Sequence, residues 1–221
     1  LSLTQIKLNS TVVDVMKKHL KNSEKNYFSS EKRKIKPLER NILLSKVSFK
    51  YNNREKLSLN KINLEIKRGQ SIALVGPTGS GKSTIVNLLL GLYFPEDGTL
   101  KVDKVLINKS NIRSWQRSIG FVPQEIYLSD EKVKNNIAFG IPDHEIDMNR
   151  VIKTSQIAKI FDFISNELPE KFDTLIGERG SRISVGQKQR IGIARALYHN
   201  PSFIVFDEAT SSLDNITEKI I

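Results

Sequence analysis

Ser71-Ile72-Ala73-Leu74-Val75-Gly76-Pro77-Thr78-Gly79-Ser80-Gly81-Lys82-Ser83-Thr84 is the stretch that decides how this chain is read. The apolar run Ser71–Val75 predicts a strand. Lys82–Leu92, with Ile85, Val86, Leu88, Leu89, Leu90 and Leu92, predicts a helix apolar nearly all round and therefore buried. The residues between them satisfy G-x-x-x-x-G-K-[ST] in the context that pattern requires, strand before and helix after. Glycines let main-chain N–H groups turn toward phosphate oxygens, and the helix start adds partial positive charge. Gly76, Thr78, Gly79, Ser80, Gly81 and Thr84 then form a nucleotide cradle. Lys82 is placed to reach the β- and γ-phosphates, and Ser83 to ligate Mg²⁺. The alternative, a glycine-rich turn that binds nothing, does not account for a lysine and a hydroxyl at the head of the helix.

Outward from this loop, short β-like segments are predicted at Ile42–Phe49, Ile62–Ile66, Leu100–Ile107, Ile119–Pro123 and Phe203–Phe206. Residues 125–200 read as mainly helical, with loops at Gly140–Asp143 and Leu175–Arg182. The fully apolar run Phe203–Phe206 has the character of a parallel-sheet strand and ends in Asp207 and Glu208. Beside a phosphate loop, Asp207 is placed to hold Mg²⁺ through water and Glu208 to polarise an attacking water. Taken alone, the same pattern is a solvated strand end.

Composition bounds the rest. The 221 residues are 38% hydrophobic and 27% charged with 12 Gly and 7 Pro, which excludes collagenous, low-complexity and wholly disordered classes. With no cysteine there is no disulfide framework, thiol nucleophile or thiolate zinc site, which fits a reducing compartment. The net charge of +11 is uneven: residues 1–40 hold ten basic against four acidic side chains, so a basic segment precedes an ordinary surface. No run nears the roughly 18 apolar residues of a membrane span, and the best stretch, Ile85–Phe94, is broken by Asn87 and Gly91. Ser10–Lys21 predicts an amphipathic helix, and Asn22–Lys36 a polar linker closed by Pro37, giving a domain boundary near residue 38. The chain begins at Leu1 without a signal pattern, so it is expected to be an internal piece of something longer.

Ile183-Ser184-Val185-Gly186-Gln187-Lys188-Gln189-Arg190-Ile191 resembles the L-S-G-G-Q signature of ATP-binding cassette (ABC) proteins. The similarity continues through Arg195-Ala196-Leu197 and the acidic pair into Ala209-Thr210-Ser211-Ser212-Leu213-Asp214, which looks like the D-loop. Phe121-Val122-Pro123-Gln124 is similar to the Q-loop. In Val47-Ser48-Phe49-Lys50-Tyr51, Tyr51 matches the aromatic that stacks on adenine, although an aromatic on a strand is more often packing. Thr174 to Gly180, with Glu178 and Arg179, looks like the exporter-type X-loop. The resemblance covers residues 41–221 and implies an α/β fold: a P-loop NTPase core, its mixed or parallel sheet flanked by helices, with an N-terminal antiparallel β subdomain and an inserted helical subdomain over about 125–200.

What the resemblance implies for function is an ATPase with ATP and Mg²⁺ as cofactors. Glu208, Lys82 and Gln124 would be catalytic, and Ser83, Gln124 and Asp207 would hold the metal. Ser184, a natural N-cap, would with Gly186 and Gln187 face the ATP of a second ABC domain in a homo- or heterodimer. The Gln124 loop and Glu178/Arg179 would meet a transmembrane domain at the cytoplasmic face of the cell (inner) membrane, with residues 1–37 as the membrane-proximal join. Export or flipping of a substrate follows, with a lean toward lipid-linked glycans from Ile112–Gln116 and Asn136–Ile141. No nucleic-acid partner is expected.

The sequence departs from the family pattern at Val185, which replaces the first signature glycine, and at Ile183. The family's switch histidine would fall past Ile221, and His19, His144 and His199 read as surface or helix-terminal residues rather than substitutes. These departures keep open a catalytically weak nucleotide-binding module. An ABC-type ATPase of nucleic-acid maintenance is the remaining alternative, disfavoured because the basic excess lies outside the domain.

Overall fold

The computed structural model describes residues 13, 14, 16 and 17, then 36–52, 55–177 and 183–207. The first four are helical, in line with the helix expected over Ser10–Lys21, whose other residues lie outside the described set.

Strands β1 (Asn41–Phe49), β2 (Leu59–Lys67), β3 (Asp97–Val102) and β4 (Val105–Leu106) make an antiparallel sheet in the order β2-β1-β3-β4. In β1 the buried apolar residues are Ile42 and Leu44, then Val47 and Phe49, so their period-two alternation slips by one residue midway. A bulge absorbs the slip: the register with β2 and β3 shifts there, and Lys46 takes φ 49°. Both halves of the strand thereby keep their apolar side chains on one face.

The segment expected as one strand over Leu100–Ile107 is a hairpin. Asp103 and Lys104 have φ of 48° and 72°, the positive pair that a tight hairpin turn requires, and Val102 pairs with Val105. The Asp103 carboxylate then accepts the amides of Glu39, Arg40 and Asn41 at 2.7, 2.7 and 2.9 Å, pinning the chain where it enters β1. Burial pushes its pKa up, but the three amides and the Arg40 charge outweigh that and hold the carboxyl below the usual range.

Helix α1 (Lys82–Leu89) and helix α2 (Ile112–Gln116) pack beneath this sheet, with Leu88, Leu89 and Trp115 in its core. Helix α1 is shorter and less enclosed than expected: it buries Thr84, Leu88 and Leu89, while Ser83 and Leu92 are exposed. It ends because Gly91 takes φ 67° and because α2 supplies donors for its last carbonyls. Trp115 Nε1 donates to Leu89 O at 2.7 Å, and Gln116 Nε2 to Leu90 O at 3.2 Å. Trp115 is fully buried and stacks on Phe203 at 5.9 Å. Trp115→Phe would orphan the Leu89 carbonyl and leave a void, an expected loss of about 2–4 kcal/mol in a urea unfolding curve followed by far-UV circular dichroism.

A second core forms around helices α3 (Val133–Ile137), α4 (Met148–Ile157), α5 (Phe161–Asn166) and α6 (Val185–Tyr198). Asp147 caps α4 by accepting from the amides of Asn149 and Arg150. Tyr198 on α6 accepts from the Asp147 amide at 3.0 Å, tying the end of one helix to the start of the other. Against α6 lies the parallel pair β5 (Ile119–Val122) and β6 (Phe203–Phe206), with Val122 opposite Phe206.

The expected strand over Ser71–Val75 is not formed. No described strand pairs with it: β5 and β6 pair with each other, and β1–β4 make the other sheet. Without a ladder or a covering layer Ile72 and Val75 are exposed, Val75 at 90%.

Candidate nucleotide-binding site

Past this unpaired segment the chain turns through Gly79 and Gly81, at φ 82° and 93°, into α1. Gly81 is the N-cap, no side chain caps the helix, and its first turn holds no acidic residue. An uncapped helix start presents unsatisfied N–H groups and a positive dipole end, which suits an anion. The loop rests on the start of β2: a Cβ on Gly81 would lie 2.7 Å from Leu59 Cδ2 and 2.9 Å from Ser58 O. Lys82 folds back over the loop and its Nζ donates to Gly76 O at 2.7 Å and Pro77 O at 2.9 Å. Gly76, Thr78, Ser80 and Ser83 are all exposed around it. Among the described residues, an ammonium with main-chain carbonyls to leave, beside uncapped amides and an exposed hydroxyl, fits a metal-bound polyphosphate.

Thr84 is buried, with Oγ1 3.3 Å from the Tyr51 hydroxyl. Tyr51 is half-buried and meets Phe49 and Tyr93 edge-on, at ring separations of 4.9 and 5.4 Å. The expected adenine-stacking residue is thus braced by two aromatics and adjoins the phosphate helix.

Gln124 and Asp207 leave the same end of the β5–β6 pair. Val122 lies opposite Phe206, and the Asp207 amide donates to Val122 O at 3.0 Å. The carboxyl ends of parallel strands are where such sheets place their ligands. Gln124 is exposed and Asp207 half-buried, while Glu208 lies outside the described residues.

Ser184 caps α6 as the sequence predicts, and the cap is reciprocal. Gln187 N donates to Ser184 Oγ at 3.3 Å, and Ser184 N donates to Gln187 Oε1 at 2.8 Å. Gln187 therefore spends its amide oxygen on the helix start. Val185 is 70% exposed, so the β-branched substitution takes no part in the core, and Gly186 is half-buried behind it. Thr174–Gly177 of the expected X-loop is described, with Leu175 bridged to Lys132, but Glu178 and Arg179 are not. His199 is the C-cap of α6 and His144 lies exposed in a 3-10 turn; His19 lies outside the described residues.

A sequence model of one family, described as ABC transporter, matches residues 59–211. The chain belongs to the ABC transporter family. Among its relatives, ATP-binding cassette sub-family B member 5 of Mus musculus is 45% identical over 185 residues, covering 83% of this chain and 14% of that protein. The ATP-dependent lipid A-core flippase of Coxiella burnetii is 42% identical over 175 residues, covering 79% of this chain and 29% of the flippase. A solved structure of a bacterial Atm1-family ABC exporter with ATP bound superposes with a TM-score of 0.76 at 37% identity, over 85% of this chain and 32% of that one. The ABC chain described here therefore spans well under half the length of these relatives. Its fold is that of the P-loop NTPases, with the antiparallel sheet beside the phosphate helix.

Two parts of this ABC domain escaped the sequence reading. Arg195 and Asn136, far apart along the chain, are hydrogen-bonded to each other in the second core. The available signal was Asn136 itself, a polar residue at an apolar helical position between Val133 and Ile137. Asp103, at the hairpin turn, carried no signal beyond a turn-forming residue type.

Proposed function

We propose that this chain is the ATP-binding and hydrolysing motor domain of an ABC exporter. The observation that carries the reading is the start of α1: a left-handed glycine N-cap, no side-chain cap, no acid in the first turn, and Lys82 held, among the described residues, by two main-chain carbonyls. Tyr51 stacks on the base, an interaction worth about 1–3 kcal/mol if base–aromatic values transfer. Main-chain groups and side chains of Gly76 to Thr84 hold the phosphates. Ser83, Gln124 and Asp207 hold Mg²⁺, which supplies neutralisation of phosphate charge when bound. Glu208 orients the water and takes its proton, so positioning and electrostatics carry the chemistry.

Residues 38–221 form the ATPase domain, with its helical part over about 125–200, and residues 1–37 join it to a transmembrane domain. Ser184 and Gly186 complete the site of a second ABC domain. The Gln124 loop and Glu178/Arg179 face the membrane part, at the cytoplasmic face of the cell (inner) membrane. No helix among the described residues is long and apolar enough to cross a membrane. For the substrate class we favour a lipid-linked glycan, with support from the similarity to the lipid A-core flippase.

Light scattering of the Glu208→Gln chain with and without Mg-ATP tests the reading. The expected result is retained ATP binding, ATP-dependent dimerisation and loss of turnover. Normal turnover would sink the role of Glu208, and a monomer that binds ATP without closing would leave a binding-only module.

A further inference from the structure

Arg195, in the last turn of α6, is half-buried, and among the described residues its hydrogen-bond acceptors belong to the stretch that follows Gln124. Its Nε donates to Asn136 O at 2.7 Å, Nη1 to Tyr127 O at 2.8 Å and Nη2 to Asn136 Oδ1 at 3.0 Å. The guanidinium also lies 4.8 Å above the Phe139 ring. No carboxylate among the described residues forms an ion pair with it. Burial draws its pKa down to about 10, which still leaves it charged at neutral pH.

The acceptor side is equally organised. Asn136 is fully buried; its Nδ2 donates to Ser129 O at 3.1 Å and its Oδ1 accepts from Ser129 N at 3.0 Å, closing residues 129–136 into one unit. One turn before Arg195, a Cβ on Gly192 would lie 2.5 Å from Ile126 Cδ1, so the residue two past Gln124 is pressed onto the same helix. A charge taken out of water to bond neutral oxygens is a costly way to glue two surfaces that leucine could join. What a planar fork adds is geometry: three fixed directions that pin a segment against rotation and sliding.

We infer that Arg195 is a positioning residue that clamps the segment leaving Gln124 onto the signature helix, so that Gln124 and Ser184 move as one body. This rests on the motor reading above, in which Gln124 answers to nucleotide in its own subunit and Ser184 to nucleotide in the partner. The clamp makes α6 the rigid connection between the two, carried by a physical element rather than by proximity alone.

The experiment uses the 221-residue chain carrying Glu208→Gln as parent, with Arg195→Lys, Gln124→Ala and the pair added to it. Lysine keeps the charge and loses the fork. Mg-ATP binding by single chains is read by calorimetry and closure by light scattering across protein concentration. Arg195→Lys is expected to bind Mg-ATP within about twofold of the parent while needing about tenfold more protein to dimerise. Gln124→Ala is expected to weaken Mg-ATP binding by the same factor in both backgrounds, but to raise the protein concentration needed for closure in the parent and not further in the Arg195→Lys background, because a loosened clamp no longer transmits it. Parent-like dimerisation of Arg195→Lys, parallel loss of binding and dimerisation, or additive losses in the pair would each overturn the inference. Should Arg195→Lys fail to fold, Gly192→Ala, which crowds Ile126 at the same clamp, is expected to show the same split, and parent-like closure there overturns it. A parent that does not dimerise overturns the motor reading, and this one with it.

Discussion

Lys82→Met is expected to weaken Mg-ATP binding by about a hundredfold while leaving the fold intact. Methionine keeps an unbranched stem of similar reach and removes only the ammonium. In the free protein that ammonium donates to Gly76 O and Pro77 O at 2.7 and 2.9 Å, in a loop whose exposed residues hold no other cation. Its loss there costs little stability, because two solvated main-chain carbonyls return to water. On binding, the lysine exchanges neutral carbonyls for phosphate oxygens, and a hydrogen bond to a charged partner is worth about 1.5–3 kcal/mol net. At 1.4 kcal/mol per tenfold, the upper part of that range is the hundredfold expected. A fluorescent-nucleotide titration reads the affinity, and circular dichroism checks the fold. Affinity within threefold of the unaltered chain would show that the uncapped amides of α1 hold the phosphates without Lys82.

Gly98→Ala is expected to remove about 3 kcal/mol of stability. Gly98, the second residue of β3, has φ 84°, and a Cβ there would overlap the Ser45 and Lys46 carbonyl oxygens at the bulge of β1. Those atoms are backbone and cannot rotate away, so the two strands would have to part. The left-handed conformation alone costs roughly 1–2 kcal/mol for a residue with a side chain. Separating β3 from β1 adds at least as much. Gly79→Ala supplies the comparison: it has nearly the same φ, 82°, but a Cβ there would meet nothing within 4 Å. Urea midpoints should therefore fall by the conformational cost alone in Gly79→Ala and by about twice that in Gly98→Ala. Equal shifts would mean that the β1 bulge yields to the methyl.

The elements that could be read directly from the sequence are those whose cause is local. The turn of Gly79 and Gly81 into α1, the Ser184–Gln187 cap of α6 and the apolar β6 strand each depend on residues within a few positions of one another. The readings that failed depended on what lies across space. Ser71–Val75 has the composition of a strand, but a strand needs a partner for its ladder, and none of the described strands supplies one. Leu100–Ile107 has an unbroken apolar character, yet the positive φ pair at Asp103 and Lys104 folds it back on itself.

The sequence by itself determined the chemistry of the phosphate loop: a lysine and a hydroxyl at the head of a helix, behind glycines that tolerate left-handed turns. It also determined the cap that shapes the signature, and membership of the ABC family follows from those motifs in that order. Only the tertiary structure decided that Gln124 and Asp207 share one strand end, that Tyr51 is braced beside Thr84, and that Arg195 reaches back across 59 residues to Asn136. Capping and turn preferences are set by neighbours along the chain, so they are written in short patterns. A half-buried guanidinium finds its acceptors only after two separate segments have packed, and no spacing in the sequence encodes that meeting.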